Sequence, residues 1–203
     1  RAREICSRHE VHLIADEIAV GFGRTGTMLA CEQVGVTADF LCLSKGITGG
    51  YLPLSVVLTR DEIYQAFYAD EIARGFLHSH SYTGNALACR AALASLAIFV
   101  ADDVIAANRE KAAQIARMAA VLAEEDFVHN ARQRGMIWAF DVATKDPNFA
   151  GKVFAQGLAQ GVLLRPIGNT VYFMPPYVIS LEEAAFLIET TQTVLRQVVR
   201  ASE

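Results

Sequence analysis

Residues 11–50 read VHLIADEIAVGFGRTGTMLACEQVGVTADFLCLSKGITGG and contain two short apolar runs. The first run, from Val11, ends at Asp16 and Glu17, and the second run, from Phe40, ends at Lys45. Apolar runs of this length between polar or glycine-rich turns are typical of buried strands in a parallel sheet. Ligands of open α/β sheets bind outside the carboxyl ends of the strands. We therefore expect Asp16 and Lys45 to share one crevice.

Composition limits the classes of protein to which this chain can belong. Its 203 residues are 53% apolar, which is enough for a sizeable core. The net charge of −4 and the lack of a basic run make nucleic acid and anionic membrane unexpected partners. The four cysteines have no paired spacing, which favours reduced thiols in a cytoplasmic protein. No apolar run is long enough to span a bilayer. The chain starts without methionine, as expected for the later part of a longer protein.

The sequence predicts an α/β part at residues 1–103 and a small α+β domain at residues 104–203. In the first part, further elements are a strand at Ser55–Leu58 and an alanine-rich helix at Ala86–Phe99. A charged break at Asp102–Asp103 separates the two parts.

The second part is predicted to alternate helices with short strands. Ser180 followed by Glu183 is a capping box, which indicates that a last helix begins there. Gly161 stands where a helix from Phe149 would end. The other predicted elements are a helix at Val104–Glu125 and strands at Met136–Val142, Val162–Leu164 and Val171–Met174.

Gly21, Gly23 and Gly26 match the dinucleotide-binding pattern G-x-G-x-x-G. That pattern requires its first glycine directly after a strand and an acidic residue at the end of the next strand. Here DEIAV intervenes, and Asp39 begins the next strand. We therefore interpret these glycines as a tight loop and keep an NAD-binding module only as an alternative.

Asp16 and Lys45 each allow two interpretations. Asp16 is either a solvated or capping acid at a strand end, or a carboxylate that faces a cationic ring nitrogen. Lys45 is either an exposed lysine in a glycine turn, or an amine in a cleft that forms a Schiff base with a carbonyl. Together they match what pyridoxal-phosphate enzymes need, which is a lysine for the aldehyde and an acid for the pyridinium nitrogen.

Four motifs resemble the class III pyridoxal-phosphate aminotransferases of fold type I. They are DEIAVGFGRTG (16–26), LSKGITGGYLPLS (43–55), FLHSHSYTGN (76–85) and RPIGNTVYFMPPY (165–177). The resemblance spans nearly the whole chain but lacks the family's N-terminal part. It implies an α/β fold, with part of a large, mainly parallel-sheet domain followed by a small α+β domain. It also implies pyridoxal 5'-phosphate as the cofactor.

Carried over by position, the resemblance makes Lys45 the Schiff-base lysine and general base, and Asp16 the partner of the pyridinium nitrogen. Ser81, where the family usually has threonine, would donate to the cofactor phosphate of a neighbouring subunit, with Ser79 and His80 lining that contact. The resemblance therefore also implies a homodimer with shared active sites. His78 and His80 lack the further ligands of a metal site, so we expect no metal.

Arg165 is either a surface arginine paired locally or a guanidinium fork for a substrate carboxylate. The family segment favours the second role, with Tyr172 beside it as a substrate-binding residue. Trp138 and the aromatic residues of VYFMPPY (171–177) are expected to lie mostly in the core.

The resemblance implies transamination of 8-amino-7-oxononanoate to 7,8-diaminononanoate, a step of biotin biosynthesis. S-adenosylmethionine is the expected amino donor, with lysine used by some enzymes of this type. The alternatives are another class III aminotransferase that acts on ω-amino acids, or a non-catalytic fragment. We expect the 203-residue piece alone to be inactive, because the other half of each site is missing from it.

Overall fold

A computed structural model describes residues 1–201. The chain divides into two compact units, Arg1–Ile105 and Ala106–Glu203. Each unit is described here by itself.

The first unit contains three α-helices and a three-stranded sheet. Short 3-10 helices at Ala30–Val34, Lys45–Ile47 and Ile72–Arg74 connect them. The bounds are α1 (Ala2–Arg8), β1 (Ile14–Asp16), β2 (Phe40–Leu43), β3 (Val56–Thr59), α2 (Asp61–Gln65) and α3 (Ala86–Ala101).

The central strand of this sheet is β2, in the order β1-β2-β3. β1 runs parallel to β2, as the apolar runs predicted, and Asp16 lies opposite Cys42. β3 is antiparallel to β2. The predicted burial of the first apolar run is wrong for Ile14, which is 63% exposed, and Val57 in β3 is similarly 61% exposed. Nothing within residues 1–201 covers these two side chains.

A buried carboxylate fixes the start of β2 to the elements around it. Asp39 accepts hydrogen bonds from Arg3 Nη1 (2.6 Å), from the Leu13 backbone N–H (2.7 Å) and from Arg60 Nη1 (3.2 Å). The Arg3 guanidinium, with the Leu13 N–H and then Arg60, holds the pKa of Asp39 well below its usual range. Because the Leu13 carbonyl also accepts from the Asp39 N–H (2.9 Å), β1 and β2 are held in register.

The second unit consists of helices packed on an antiparallel sheet of order β4-β5-β6. A 3-10 helix, Ala120–Glu124, follows its first helix, which begins two residues before the unit boundary. The bounds are α4 (Val104–Ala119), β4 (Val128–Arg134), β5 (Ile137–Val142), α5 (Phe149–Ala159), β6 (Thr170–Phe173) and α6 (Leu181–Arg200).

The core of the second unit is built from alternate residues of the sheet and from the inner faces of its helices. In β5, Trp138, Phe140 and Val142 are buried while the residues between them are less so. Phe149 and Val153, four residues apart in α5, pack into the same cluster. Alternation in the strands and helical spacing in the helices therefore direct the apolar side chains to one side.

Two predicted features of this unit need correction. The predicted strand Val162–Leu164 is wrong, because these residues alternate in burial like a strand but do not pair with one. The sequence also did not predict β4, whose burial pattern is one buried residue followed by six exposed ones. Such a strand has no apolar alternation that a sequence pattern could reveal.

The two predicted helix signals of the second unit, the capping box at Ser180 and the glycine at position 161, are confirmed. The Glu183 N–H donates to Ser180 Oγ (3.1 Å), and the Ser180 N–H donates to Glu183 Oε2 (2.8 Å), which completes the capping box. Gly161 follows α5 with a φ of +84°, a conformation that glycine adopts without a steric penalty.

Within residues 1–201, no single helix is long and apolar enough to cross a membrane, and only the consecutive helices 86–101 and 104–124, taken as a bent pair, pass that test by length and composition.

Candidate active site

Asp16 and Lys45 lie at the same edge of the first unit's sheet. Asp16 is the last residue of β1, and Lys45 follows β2 by two residues. Because β1 and β2 are parallel and Asp16 is in register with Cys42, the two carboxyl ends meet at that edge. The sheet thus brings an acid and an amine to the same end.

The Asp16 carboxylate is exposed and only partly engaged. Its Oδ1 accepts a hydrogen bond from the Ile18 N–H (3.0 Å), as a carboxylate does when it closes a turn. Its other oxygen has no hydrogen-bond partner among residues 1–201. Asp16 therefore closes its own turn and still presents one oxygen to an external donor.

Lys45 begins a 3-10 helix and has a φ of +46°. Its side chain is exposed, and its amine has neither a hydrogen-bond nor an ion-pair partner in the part of the chain that is described. The residues around it are tied to the following loop. Ser44 Oγ donates to the Leu54 carbonyl (2.8 Å), and Thr48 Oγ1 donates to the Leu52 carbonyl (2.6 Å).

Glu17 is a structural residue of this site whose role the sequence did not reveal. It is only 3% exposed, and its two oxygens accept from the Ala30 and Cys31 N–H groups, both at 2.8 Å. Burial, with the nearby Glu17 carboxylate, raises the pKa of the Cys31 thiol. Glu17 thereby closes the loop from β1 to the 3-10 helix. The only signal in the sequence is an acidic residue directly after a strand.

The glycines between these residues shape turns. The Gly21 N–H donates to the Glu17 carbonyl (2.9 Å), and the Gly26 N–H donates to the Gly23 carbonyl (3.0 Å). A Cβ at Gly21 would lie 2.8 Å from the Glu17 carbonyl oxygen, so a larger residue does not fit there. This loop is several residues removed from the end of β1, unlike the turn of a dinucleotide-binding fold.

The hydroxyl-rich segment from Ser79 to Thr83 is exposed and forms a turn. The His80 N–H donates to Thr83 Oγ1 (3.1 Å), and the Tyr82 N–H donates to His80 Nδ1 (3.1 Å). The imidazole of His80 thus organises its own turn, while the side chains of Ser79 and Ser81 face solvent.

Arg165 and Tyr172 belong to the second unit, where they line one groove. Arg165 is exposed and has no ion-pair partner among residues 1–201, and Tyr172 is half-buried in β6. Apolar side chains, including Leu163, Ile179 and Phe186, line the same groove, together with Glu183, whose Oε2 accepts a hydrogen bond from the Ser180 N–H. A guanidinium beside apolar walls suits a carboxylate attached to an aliphatic chain.

Comparison with known proteins decides the family. The family model described as "Aminotransferase class-III" matches residues 1–195. The chain belongs to the class-III aminotransferases. As a class-III aminotransferase it has the α/β fold that its motifs implied.

Relatives with assigned names agree with this family. The adenosylmethionine-8-amino-7-oxononanoate aminotransferase of Helicobacter pylori is 50% identical over 186 residues, covering 88% of this chain and 42% of that protein. The enzyme of the same name from Geobacter sulfurreducens is 41% identical over 197 residues, covering 92% of this chain and 44% of that protein. This class-III chain thus spans less than half the length of these relatives.

Solved structures give the same result for the fold. The adenosylmethionine-8-amino-7-oxononanoate aminotransferase of Methanocaldococcus jannaschii superposes with a TM-score of 0.87 at 35% identity, covering 96% of this chain and 48% of that one. A PLP-bound amine transaminase from an uncultivated Pseudomonas species superposes with a TM-score of 0.83 at 32% identity, covering all of this chain and 47% of that one.

Proposed function

We propose that the protein transfers an amino group from S-adenosylmethionine to 8-amino-7-oxononanoate and so forms 7,8-diaminononanoate for biotin biosynthesis. The observation that carries this proposal is the 50% identity to a relative named for these two substrates, over 88% of the chain. The paired placement of Asp16 and Lys45 at one sheet edge supports the same chemistry.

The residues at this edge fit pyridoxal 5'-phosphate. When bound, the cofactor supplies an aldehyde that condenses with amines and a ring that withdraws electrons from the substrate carbon. The unpartnered Lys45 amine is free to react with that aldehyde and, once released, to carry a proton to and from the substrate carbon. The available Asp16 oxygen is suited to accept a hydrogen bond from the ring nitrogen and to keep that nitrogen protonated.

The hydroxyl-rich segment would complete a site on a second copy of the chain. Ser81 keeps the hydroxyl needed to donate to a phosphate, and His80 holds the turn that presents Ser79 and Ser81 to solvent. We therefore propose a homodimer with shared active sites. The four cysteines within residues 1–201 are all free thiols, which supports a cytoplasmic protein.

The groove of the second unit would hold the acceptor. Arg165 offers two parallel N–H donors, which match the geometry of a carboxylate. Tyr172 and the apolar walls of the groove would lie along the aliphatic part of 8-amino-7-oxononanoate. The carboxylate would thus fix the orientation of the substrate.

A second candidate is a class-III transaminase that acts on ω-amino acids or amines. It is favoured by an (S)-enantioselective omega-transaminase from Thermomicrobium roseum, which superposes with a TM-score of 0.87 at 30% identity. The NAD-binding alternative has less support, because its glycine pattern forms turns away from a strand end.

The test uses the purified protein in its full natural length with added pyridoxal phosphate. With S-adenosylmethionine and 8-amino-7-oxononanoate, we expect a mass corresponding to 7,8-diaminononanoate, and we expect no such product from Lys45→Ala. Turnover of ω-amino acids alone would favour the second candidate. A protein that stays colourless with the cofactor would contradict both.

The acceptor groove has its own test. Arg165→Lys keeps the charge but loses the fork, so we expect the KM for 8-amino-7-oxononanoate to rise at least tenfold, with the KM for the donor changed much less. Equal KM values for the acceptor in both proteins would place the carboxylate elsewhere.

A further inference from the structure

Lys45 combines a constrained backbone with an unconstrained side chain. Its φ of +46° lies in the left-handed region, which a residue with a long side chain adopts only where its surroundings impose it. Its amine, in contrast, has no partner within residues 1–201. Something in the first unit must therefore hold the backbone while it leaves the amine free.

The next residue, Gly46, lies against the ring of Phe22. A Cβ built on Gly46 would stand 2.7 Å from Phe22 Cβ and 2.8 Å from Cγ and Cδ2, closer than real Cβ contacts. Phe22 itself is buried in the cluster with Leu43 and Ile47, and its own φ is +55°. Phe22 therefore cannot easily move away, and it leaves no room for a side chain on the residue that follows Lys45.

Helix α3 holds the Gly46 peptide from another direction. Ser95 Oγ donates a hydrogen bond to the Gly46 carbonyl (3.2 Å). Ala92, three residues before Ser95 and so on the same face of α3, packs in the cluster with Phe22. One helix face thus supplies both an apolar contact and a hydrogen bond to the turn of Lys45.

We propose that Phe22, Gly46 and Ser95 are positioning residues for the Lys45 amine. They hold the Lys45 turn in its left-handed conformation, so that only the side-chain torsions remain free. A fixed Cα defines the point from which the four-carbon stem reaches the cofactor aldehyde, and small errors in such placement reduce reaction rates strongly. This inference rests on the proposed role of Lys45.

The test measures adduct formation at Lys45 in the full-length protein and does not depend on turnover. Pyridoxal phosphate is added, borohydride fixes the adduct after increasing times, and peptide mass spectrometry quantifies the adducts on Lys45 and on exposed Lys145. We expect the Lys45 rate to fall about tenfold in Gly46→Ala and about threefold in Ser95→Ala, since each displaces the turn. Ser95→Thr keeps the hydroxyl and should stay near the wild-type rate.

A rescue separates positioning from general damage. Phe22→Gly removes the three atoms that an alanine at position 46 would meet, and glycine suits a φ of +55°. The double variant Phe22→Gly/Gly46→Ala should therefore recover part of the Lys45 rate lost in Gly46→Ala. The adduct rate at Lys145 should stay constant in every variant.

The outcomes distinguish this inference from the proposed function. Wild-type protein without an adduct at Lys45 would overturn the role of Lys45 itself, and with it this inference. Wild-type labelling at Lys45, with unchanged rates in both Gly46→Ala and Ser95→Ala, would overturn the positioning role alone. If Gly46→Ala does not fold, the matched pair Ser95→Ala and Ser95→Thr decides, because equal rates in that pair would also overturn it.

Discussion

The two units differ in how they bury their apolar side chains. In the second unit, one continuous cluster joins the sheet to the helices and contains fully buried residues such as Phe149 and Leu195. In the first unit, the buried cluster reduces to Phe22, Leu43, Ile47 and Ala92, while strand residues such as Ile14 remain exposed. The first unit, which has the smaller core, contains the Asp16 carboxylate and the Lys45 amine. Placement there rests on a few contacts, such as the hydrogen bond from Ser95 Oγ to the Gly46 carbonyl and the packing of Phe22 beside Gly46.

The largest expected effect is a cavity in the core of the second unit. Phe149 is 1% exposed, so Phe149→Ala should lower the free energy of unfolding by about 3–5 kcal/mol. Phe154, in the same helix α5 but 41% exposed, provides the control, and Phe154→Ala should cost about 1 kcal/mol or less. Chemical denaturation of both variants measures the difference. Similar losses would mean that this core is not tightly packed.

Acid should weaken the Asp39 contacts that hold the start of β2 in the first unit. The pKa of Asp39 is lowered by Arg3 and the Leu13 N–H, so its charged form stabilises the fold above the unfolded-state pKa of about 3.9. That stabilisation is lost as the pH falls below about 4 toward the lower folded-state pKa. Asp39→Asn should therefore be less stable than wild type at neutral pH. The loss in free energy of unfolding should be smaller than the loss in Phe149→Ala.

The same variant tests whether the pKa of Asp39 is lowered or raised in the folded protein. The stability difference between Asp39→Asn and wild type should shrink as the pH falls below about 4, because the unfolded chain then takes up a proton that folded Asp39, with its lowered pKa, does not. Denaturation midpoints at several pH values measure this. A difference that grows on acidification would contradict the assignment of the lowered pKa.

The smallest expected effect is a local one in the second unit. Ser180→Ala removes the acceptor for the Glu183 N–H and should cost about 1 kcal/mol. Ser180→Thr keeps an acceptor oxygen and should cost less than Ser180→Ala. A loss as large as that of Phe149→Ala would mean that the cap of α6, and not its buried face, controls the stability of this unit.

The sequence predicted those features that follow from local rules. The shared edge of Asp16 and Lys45 follows from strand length and from the geometry of parallel strands, and the cap at Ser180 follows from a four-residue pattern. The roles of Glu17 and Ser95 were not predictable, because each depends on a residue distant in the chain. The same holds for β4, which is a strand because β5 pairs with it and not because its own sequence alternates.

The adjacent acids Asp16 and Glu17 have a consequence for protein engineering. Successive side chains of an extended segment point in opposite directions, so this dipeptide sends one carboxylate to solvent and the other into the loop. Glu17→Gln would leave the exposed acid in place, yet it would loosen the loop that Glu17 closes. In a library that randomises both positions, changes at position 17 would act through the loop, and changes at position 16 would test the role proposed for Asp16.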